Sequence, residues 1–444
     1  MNNHQSSVIS HQLSVIRKQK VVATILFFFA IIFLSTIDCS LFTVRAETPP
    51  LSREQRLEIF DDVWETIDER YYDANLRGVD WQAERNKFRD QAAAARDSAE
   101  LYRILKIMVG ALRDSHTRVF APEEKSDWRN PRFVGVGASV REIENQLVFV
   151  SVEKDSLAER SGIKPGDLLV SIDDVSAANV LARRLAQQPG ASTAAITRLR
   201  AVAGVFEGAV DSFVRVGFRR SNREKTRFAA LKREWHVAPA SVRTERQGDT
   251  LVIAFDVFAP DIVQEFYQTL QSDLRGVRGI VLDLRVNRGG STEAMADIAS
   301  AFLPEQQLIG KFIDRAGKVE VEAATRRWLL YSANLVKVPA IPIVVLTSTA
   351  TASAAEIFAA TLRNSNRARV IGAPTCGCVL AVRGQHPLSD GGVLEISELD
   401  FQLPTGTRLE GAGVAVDERI WQTRRDLLAR RDPVLERAFK LIKS

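Results

Sequence analysis

The sequence predicts a multidomain α/β protein in which a helical segment, a small β domain and an α/β core follow one another. Residues 51–113 carry apolar side chains at helical spacing, residues 133–235 alternate short strands with glycine and proline turns, and residues 236–425 alternate apolar runs with helical stretches. A chain of 444 residues with 45% hydrophobic side chains is long enough for several cores. We therefore predict a helical region over 51–130, a β domain, an α/β core and a basic C-terminal helix over 426–444.

The first 46 residues predict an export signal. A basic cluster over 17–20 precedes the apolar run Val21–Leu34, and small or β-branched residues precede a cleavage position before Glu47. The alternative is an uncleaved membrane anchor, because Val21–Val44 is long enough to span a bilayer. The shortness of the fully apolar run favours cleavage. We therefore expect an extracytoplasmic protein (periplasmic, lumenal or secreted), with membrane contact only through this segment if it is retained.

Charge and cysteine content exclude several classes of protein. The net charge of +5 falls to +2 without the first 46 residues, which is too weak for a nucleic-acid-binding surface, and we expect no nucleic acid partner. Three cysteines exclude a disulfide scaffold and a four-cysteine zinc site. Two of them, Cys376 and Cys378, remain as a C-x-C pair once the signal is removed.

The helical segment and the β domain each contain local sequence signals for helices and turns. Apolar spacing predicts helices over about 57–71, 81–95 and 99–112. In the β domain, Pro165-Gly166 turns the chain from a short helix into a strand. The Ala-rich insert (residues 189–210) is expected to be helical, without an assigned role.

The core alternates strands and helices. Four apolar runs suit buried strands, namely LVIAFDVF, GIVLDLR, IPIVVLTS and ARVIGA. Helices are expected between them at about 260–275, 291–303 and 353–364, which is the alternation of an α/β fold. We expect EISELDFQLPTG to form an edge strand and a turn, and Thr423–Lys443 to form the closing basic helix.

Ser353 lies where the strand IPIVVLTS turns into a helix, a position that suits a nucleophile. The helix N-terminus favours developing negative charge, and the backbone N–H of Ala354 can donate to an oxyanion. The simpler interpretation is a capping box, in which Ser353 caps the helix together with Glu356 three residues later. This segment alone favours the capping box.

Three further segments have both a chemical and a structural interpretation. Gly289 and Gly290 follow a strand and can expose backbone N–H groups to a ligand, or form a tight turn. His116 follows an Asp-Ser pair at an element boundary. It could act as a base, or it could be a hydrogen-bonded structural residue. Glu410 lies among glycines, where it could be a functional carboxylate or simply an exposed carboxylate in a loop.

The order of these segments is more specific than any one of them. From about Leu57 to Asp417 come the helical segment, the histidine loop, strands with SLAERSGIKPGDLLVSIDD, then LDLRxNxGG, TASAAEIF and EGxGV. This order resembles the C-terminal processing (tail-specific) serine peptidase family. The resemblance implies an N-terminal helical bundle, a PDZ-like β domain and a crotonase-like (ClpP/crotonase-type) α/β peptidase core. It aligns Ser353 with the nucleophile.

One departure from the family pattern bears on the catalytic base. Members with a Ser/Lys dyad carry a G-x-P-T-F-G-K segment, and this chain has Cys378 at the lysine position. A second branch, with the tricorn core protease and interphotoreceptor retinoid-binding-like proteins, takes a histidine from a D-x-H loop and a glutamate beyond the serine. The loop of His116 is similar to that branch, and Glu410 lies at its spacing, 57 residues past Ser353.

The resemblance implies a serine protease mechanism. Ser353 would attack the peptide bond and His116 would take its proton. Glu410 would orient the ring, directly or through Ser115. No metal or organic cofactor is required for this chemistry.

Two sets of backbone groups would bind the substrate. The N–H of Ala354, with that of Gly289 or Gly290, would form the oxyanion hole. The PDZ-like domain would capture a polypeptide with a free or exposed C-terminal tail by strand addition. Its carboxylate loop would lie near Val134, Gly135, Val136 and Gly137.

Three alternatives stay open. The chain could be a catalytically inactive family member that binds peptides or apolar ligands, since the lysine is missing. Serine proteolysis could also use another base, Lys311 or Lys337. Cys376 and Cys378 could form a labile disulfide and act as a redox pair, or could shape the wall beside the serine.

Overall fold

The computed structural model describes residues 50–124, 131–237, 240–326 and 336–443. The predicted export signal lies outside the described residues and remains a prediction. Within those ranges, no helix is long and apolar enough to cross a membrane. All elements described below belong to the compact unit Leu51–Ser444.

The helices and strands are numbered in chain order over the described residues. The helices are α1 (Arg53–Arg70), α2 (Trp81–Ala93), α3 (Ser98–Gly110), α4 (Leu157–Arg160), α5 (Ala177–Gln187), α6 (Ala194–Ala203), α7 (Pro260–Asp273), α8 (Thr292–Ala299), α9 (Ala354–Asn364), α10 (Arg424–Leu428) and α11 (Pro433–Lys443), with 3₁₀ turns at Leu76–Gly78 and Gly204–Phe206. The strands are β1 (Arg118–Phe120), β2 (Arg132–Gly135), β3 (Ala138–Ile143), β4 (Gln146–Val152), β5 (Leu168–Ile172), β6 (Val175–Ser176), β7 (Phe213–Arg219), β8 (Arg227–Lys232), β9 (Glu234–Val237), β10 (Val242–Gln247), β11 (Thr250–Phe255), β12 (Gly279–Asp283), β13 (Leu308–Ile313), β14 (Val319–Ala324), β15 (Ile343–Thr347), β16 (Arg369–Gly372), β17 (Ala381–Pro387), β18 (Val393–Gln402) and β19 (Glu418–Arg419).

Helices α1, α2 and α3 form the N-terminal helical region that the apolar spacing predicts. α1 begins at a capping box, in which the Ser52 hydroxyl accepts from Gln55 N and the Gln55 side chain accepts from Ser52 N. The inward faces bury large side chains such as Phe60 and Tyr102. The same apolar cluster includes Leu394 of β18, so the helical region packs directly on the core.

Strands β3, β4, β5, β7 and β8 form the sheet of the PDZ-like domain, in that order. β7 and β8 pair antiparallel and close this sheet. The chain before this sheet forms a separate ribbon, in which β2 pairs with β9 and ends at Gly135. Gly137, with φ of +71°, then turns the chain into β3. A Cβ at position 137 would lie 2.5 Å from Ser156 Cβ, so this turn requires glycine.

The α/β core contains a sheet of order β10-β11-β12-β15-β16-β19. The four predicted strands, β11, β12, β15 and β16, pair in parallel, and apolar clusters cover both faces of the sheet. Helices α7, α8 and α9 form where the alternation predicts them, and α11 packs on the opposite face. Because the carboxyl ends of parallel strands meet at one edge, the turns after β12 and β15 lie side by side.

β18 is a central strand, and the expectation of an edge strand over EISELDFQLPTG is wrong. It pairs with β1, β13 and β17. Arg118 of β1 is paired with Glu395, 277 residues later, and a separation of this size leaves no local signal in the sequence. The pairing fixes the chain directly after His116 against the core.

The single basic helix predicted at the C-terminus is also wrong, since α10 and α11 are separate helices. Arg430 has φ of +54°, outside the helical region. Pro433 has no N–H and its ring excludes the carbonyl four residues earlier, so it can begin α11 but cannot continue α10. Ile442 of α11 packs against the parallel sheet.

Candidate active site

Ser353 lies between β15 and α9 in a backbone conformation that side chains rarely adopt. Its φ is +56° and its ψ −125°, a conformation that costs a non-glycine residue about 1–3 kcal/mol. Its hydroxyl makes no capping hydrogen bond, because Glu356 N bonds to the Ser353 carbonyl at 2.8 Å. The Glu356 carboxylate in turn accepts from Ser353 N at 3.0 Å, as in the expected capping box. Within the described residues, the Ser353 hydroxyl therefore has no hydrogen bond that would hold it as a helix cap.

The glycine turn after β12 lies against Ser353. A Cβ at Gly289, where φ is +92°, would stand 2.6 Å from Ser353 Cβ and 2.9 Å from Ala354 N, so only glycine fits. Asn287 orders the turn, since its side-chain oxygen accepts from Gly289 N at 2.9 Å while its amide donates to a buried carbonyl. Because the N–H of Gly289 is engaged, Gly290 is the candidate donor from this turn.

Glu356 is a fully buried carboxylate that ties Ser353 to the segment around Gly377. It accepts hydrogen bonds at 2.6–3.0 Å from Ser353 N, Thr375 Oγ1, Gly377 N and Cys378 N. Burial raises the pKa of Glu356 to about 7, and these four donors act in the opposite direction. Its position in the sequence suggests only helix capping, but Glu356 also connects the start of α9 to the segment around Gly377.

His116 lies in a tight loop directly before β1. The Asp114 carboxylate accepts from His116 N at 2.9 Å and from both the N–H and the hydroxyl of Thr117. The residue is half-buried, and its Nδ1 is fully enclosed without a hydrogen-bond partner among the described residues. Burial lowers the pKa of His116 to about 4, against the opposing effect of Asp114, and Arg200 lowers it further. The ring is therefore neutral at pH 7 and able to accept a proton.

Glu410 is buried, which excludes an exposed loop carboxylate. Its side chain is 3% exposed, and Oε1 pairs with Arg77 Nη1 at 3.2 Å. Oε2 accepts from Val379 N at 2.9 Å, and the Ser192 hydroxyl is a further partner. Burial raises the pKa of Glu410, and these three partners favour its charged form. Among the described residues, none of these hydrogen bonds involves the His116 ring.

Cys376 and Cys378 form a disulfide, with Cα atoms 5.3 Å apart. Both are buried, and Ile196 of the Ala-rich insert packs on them. Cys378 touches both sides of the site, because its carbonyl accepts from Ser353 N at 2.9 Å and its Sγ lies 3.3 Å from Ser115 Oγ. The residue at the family's lysine position is therefore a structural link.

The segments that carry Ser353, His116 and Glu410 converge without a direct hydrogen bond between those three side chains in the described chain. The connection from Ser353 runs through Cys378 to Ser115, the residue before His116. The connection from Glu410 also reaches Ser115, through the insert. Catalytic hydrogen bonds often tighten only when substrate binds, so this arrangement is compatible with catalysis.

The Ala-rich insert, helical over α6 as predicted, supplies residues that the sequence interpretation missed. Ser192 and Ser115 exchange two hydrogen bonds, each of 3.2 Å. Thr193 Oγ1 donates to Cys376 O at 3.0 Å, and Arg200 Nη2 donates to Ser115 O at 3.4 Å. No local motif marks these residues, because their partners lie far away in the chain.

One cluster of potential metal ligands lies beside the serine. The ligand atoms of Glu356, Cys376 and Cys378 lie within 4.8 Å of one another. The two sulfurs are bonded to each other, and the Glu356 oxygens already accept four hydrogen bonds. Because metal binding needs thiolates and available carboxylate lone pairs, this donor set does not suit a cation.

The two alternative lysine bases lie in other parts of the core. Lys337 Nζ donates to the carbonyl of Leu303, just beyond α8. Lys311 lies on β13 opposite Gln402. His116 therefore remains the candidate base.

Three family models match consecutive parts of the chain. The Tricorn protease C1 domain matches residues 52–110, a PDZ domain matches 148–197, and Peptidase family S41 matches 249–420. These ranges fall on the helical region, the sheet with β4 and β5, and the parallel sheet.

Curated relatives are similar over most of the chain. It is 27% identical over 318 residues to the "Probable CtpA-like serine protease" of Staphylococcus epidermidis, covering 70% of this chain and 59% of that protein. It is 28% identical over 406 residues to "Carboxyl-terminal-processing peptidase 2, chloroplastic" of Arabidopsis thaliana, covering 85% and 72%. It is 26% identical to the "Carboxyl-terminal-processing protease" of a Synechocystis strain, and the match covers 84% of this chain and 82% of that protein. The chain thus spans 59% of the length of the staphylococcal relative.

Solved structures share the fold. The photosystem II D1 C-terminal processing protease has a TM-score of 0.54 at 22% identity, covering 88% of this chain and 97% of that one. Mature CPAF has a TM-score of 0.65 at 16% identity, with the same coverage. The tricorn protease has a TM-score of 0.50 at 18% identity, covering 88% of this chain and 37% of its own.

Proposed function

We propose, from the match of residues 249–420 to Peptidase family S41 and the matches of the preceding regions, that the chain is an exported serine endopeptidase that hydrolyses peptide bonds in polypeptides. The observation that carries the proposal is the conformation of Ser353, which has a positive φ at the start of α9 and, within the described residues, a hydroxyl without a capping hydrogen bond. A strained strand-to-helix turn of this kind presents a nucleophile to a substrate. The alanines beside Ser353 leave room for a peptide chain.

His116 would act as the general base. Its neutral ring would take the proton of Ser353 Oγ as that oxygen bonds to the carbonyl carbon, and would return the proton to the leaving amine as the C–N bond breaks. Water would then release the acyl group by the same route. Because the two side chains are not hydrogen-bonded within the described residues, their hydrogen bond would form as the substrate binds.

Two backbone N–H groups would stabilise the oxyanion. Ala354 is the first residue of α9, so its N–H has no partner within the helix and lies at the positive end of the helix dipole. Gly290 would supply the second, because the N–H of Gly289 is bonded to Asn287. One such donor is worth about 3–4 kcal/mol in the transition state.

Glu410 would stabilise the imidazolium form of His116. Arg77 and Val379 N favour its ionised form, which is the form that attracts a positive ring. Since no hydrogen bond joins the two side chains, the effect would act through the loop at Ser115.

The substrate would be a polypeptide with a free or exposed C-terminal tail. β3 is an edge strand of the PDZ-like sheet, and its backbone can pair with an added strand. The turn into β3 at Val136 and Gly137 would bind the terminal carboxylate. Val134 and Gly135, which belong to the ribbon of β2 and β9, would border this loop.

Two features support an extracytoplasmic location. The first 46 residues have the pattern of an export signal. The disulfide between Cys376 and Cys378 suits an oxidising compartment, because disulfides persist mainly there.

The decisive variant is Ser353→Ala. We expect it to lower peptide hydrolysis by about 10³-fold or more and to abolish covalent labelling by a fluorophosphonate probe, because the nucleophilic oxygen is absent. Its circular dichroism spectrum and melting temperature should match those of the native chain. Ser272→Ala is the matched control, since Ser272 is exposed at the end of α7, and it should keep both activities. Full hydrolysis by Ser353→Ala would contradict the proposal.

The second candidate is a catalytically inactive peptide-binding protein. The missing hydrogen bond between Ser353 and His116 in the described chain and the cysteine at the lysine position favour it. The same experiment separates the two: a native chain that binds peptides tightly, without Ser353-dependent labelling, would be a binding protein.

A further inference from the structure

Ser192 lies between the Glu410 carboxylate and the histidine loop, and its hydroxyl interacts with both. The residue is 8% exposed. Its Oγ accepts from Ser115 N at 3.2 Å, and its hydroxyl lies near enough to the Glu410 carboxylate to favour the charged form of that group. Because an ionised carboxylate can only accept, the hydroxyl proton is directed at Glu410 and a lone pair at Ser115. This one hydroxyl therefore connects the buried carboxylate to the backbone that carries His116.

A second hydrogen bond makes the link between the two serines reciprocal. Ser192 N donates to Ser115 Oγ, also at 3.2 Å. Two reciprocal bonds fix both the distance and the relative orientation of two segments, which a single bond cannot do. Since Ser115 directly precedes His116, the placement of the ring follows the placement of Ser192.

The insert is anchored on each side of Ser192. A Cβ at Gly190 would stand 2.6 Å from the Gly110 carbonyl, so the insert passes in direct backbone contact with the end of α3. On the other side, Thr193 Oγ1 donates to the Cys376 carbonyl at 3.0 Å. The Ser192 backbone is thus held between the helical region and the core.

We propose that Ser192, which the PDZ-like domain contributes, is a positioning residue that passes the orienting effect of Glu410 to His116 through Ser115. The assignment rests on the proposed peptidase function, because it names a role in that reaction. Ser192 acts through other residues and does not contact substrate. Its loss should therefore lower kcat and leave KM nearly unchanged.

The charges around Glu410 set the direction of a pH effect. Arg77 pairs with the carboxylate, whereas Asp114 and the ring of Tyr72 lie close enough to interact with it electrostatically. The Ser192 hydroxyl is a donor that lowers the pKa of Glu410 against the effect of burial. Removing that donor raises this pKa further, so the acidic limb of kcat against pH should move to higher pH.

The experiment compares Ser192→Ala with Ser192→Thr, which keeps the hydroxyl. We expect Ser192→Ala to lower kcat about tenfold or more, as for a buried hydrogen bond to a charged group, with KM within about twofold. The acidic limb of its profile of kcat against pH should move to higher pH. Ser192→Thr should restore most of the native kcat and of the native pH profile. Arg198→Ala is the control, because Arg198 lies on α6 but pairs with Glu142 of β3, away from the site. It should leave kcat and the pH profile unchanged.

A readout independent of turnover separates this proposal from the proposed function. Amide hydrogen exchange at residues 113–117 should be faster in Ser192→Ala than in the native chain, while α3 stays protected, and Ser192→Thr should reverse the change. If the native chain is not labelled at Ser353 by the fluorophosphonate probe, the peptidase function fails, and exchange still decides whether Ser192 holds the loop. Native kcat and native exchange in Ser192→Ala, or equal losses in Arg198→Ala, would overturn the proposal.

Discussion

The strained conformation of Ser353 is maintained by the polar groups that surround its backbone. Its N–H donates both to the Cys378 carbonyl at 2.9 Å and to the Glu356 carboxylate at 3.0 Å. These bonds and the packing of α9 offset the cost of a positive φ at a residue with a side chain. The geometry that separates a nucleophile from a helix cap is thus set by the nearby Glu356 together with Cys378, which is remote from Ser353 in the chain.

Gly289 offers a test of this arrangement at a single position. We expect Gly289→Ala to lower hydrolysis at least tenfold, because its Cβ would lie 2.6 Å from Ser353 Cβ and 2.7 Å from Ala352 O and would displace the nucleophile. Gly317→Ala is a matched control: Gly317 has φ of +80° and no atom within 4 Å of an added Cβ. Both variants carry the cost of a positive φ, about 1 kcal/mol, in urea unfolding. Native activity in Gly289→Ala would contradict the close packing.

At the residue scale, the sequence offers candidates for the site only where local patterns exist. Ser353, His116 and Glu410 each lie in a short recurring motif, and the structure brings their segments together. Ser192 lies 77 residues from Ser115, and Arg77 lies 333 residues from Glu410, so their hydrogen bonds depend on the tertiary fold and carry no local signal.

At the scale of elements, the parallel strands of the core were predictable because both faces of each are buried. A strand that is buried on both faces appears in the sequence as a continuous apolar run, as in β12 and β15. β18 was not predictable as a central strand, because its neighbours β1 and β13 are distant in the chain. The C-terminal break was misjudged because the basic composition continues across Pro433, although proline itself marks the boundary.

The turn from Cys376 to Cys378 is the element that decides between a structural and a redox role for the cysteines. Gly377 N and Cys378 N donate to Glu356, and the insert covers the disulfide. The two cysteines are 2% and 1% exposed. A disulfide that reagents cannot reach reacts only when the protein opens locally or unfolds.

We therefore expect the disulfide to resist a dithiol reductant under native conditions. Reduction should proceed at the rate of unfolding and should accelerate in moderate urea, as followed by alkylation after a denaturing quench and mass analysis of the Cys376–Cys378 peptide. Cys376→Ser with Cys378→Ser is the control, in which the reductant has no effect on activity. Rapid reduction of the folded chain, with a reversible change in hydrolysis, would instead support the redox pair.

At the scale of the whole molecule, three of the predicted regions contribute to one site. The helical region supplies Arg77, the PDZ-like domain supplies Ser192, and the parallel core supplies Ser353 and Glu410. The order of domains could be predicted from the motifs along the chain. The meeting of the domains at Ser115 could not, since it depends on how each domain packs against the others.

This arrangement predicts that a polypeptide's free C-terminus governs how well it is cleaved. We expect a long peptide with a free carboxylate to have a kcat/KM about tenfold or more above that of its amidated form, because the turn at Gly137 would lose a charge-assisted hydrogen bond to the terminus. Most of the difference should appear in KM, since the terminus binds far from the reacting bond. A peptide too short to reach from Ser353 to β3 serves as the control and should be cleaved equally in both forms. Equal kcat/KM values for the two long peptides would mean that the PDZ-like domain does not read the terminus, and would leave the peptidase mechanism at Ser353 intact.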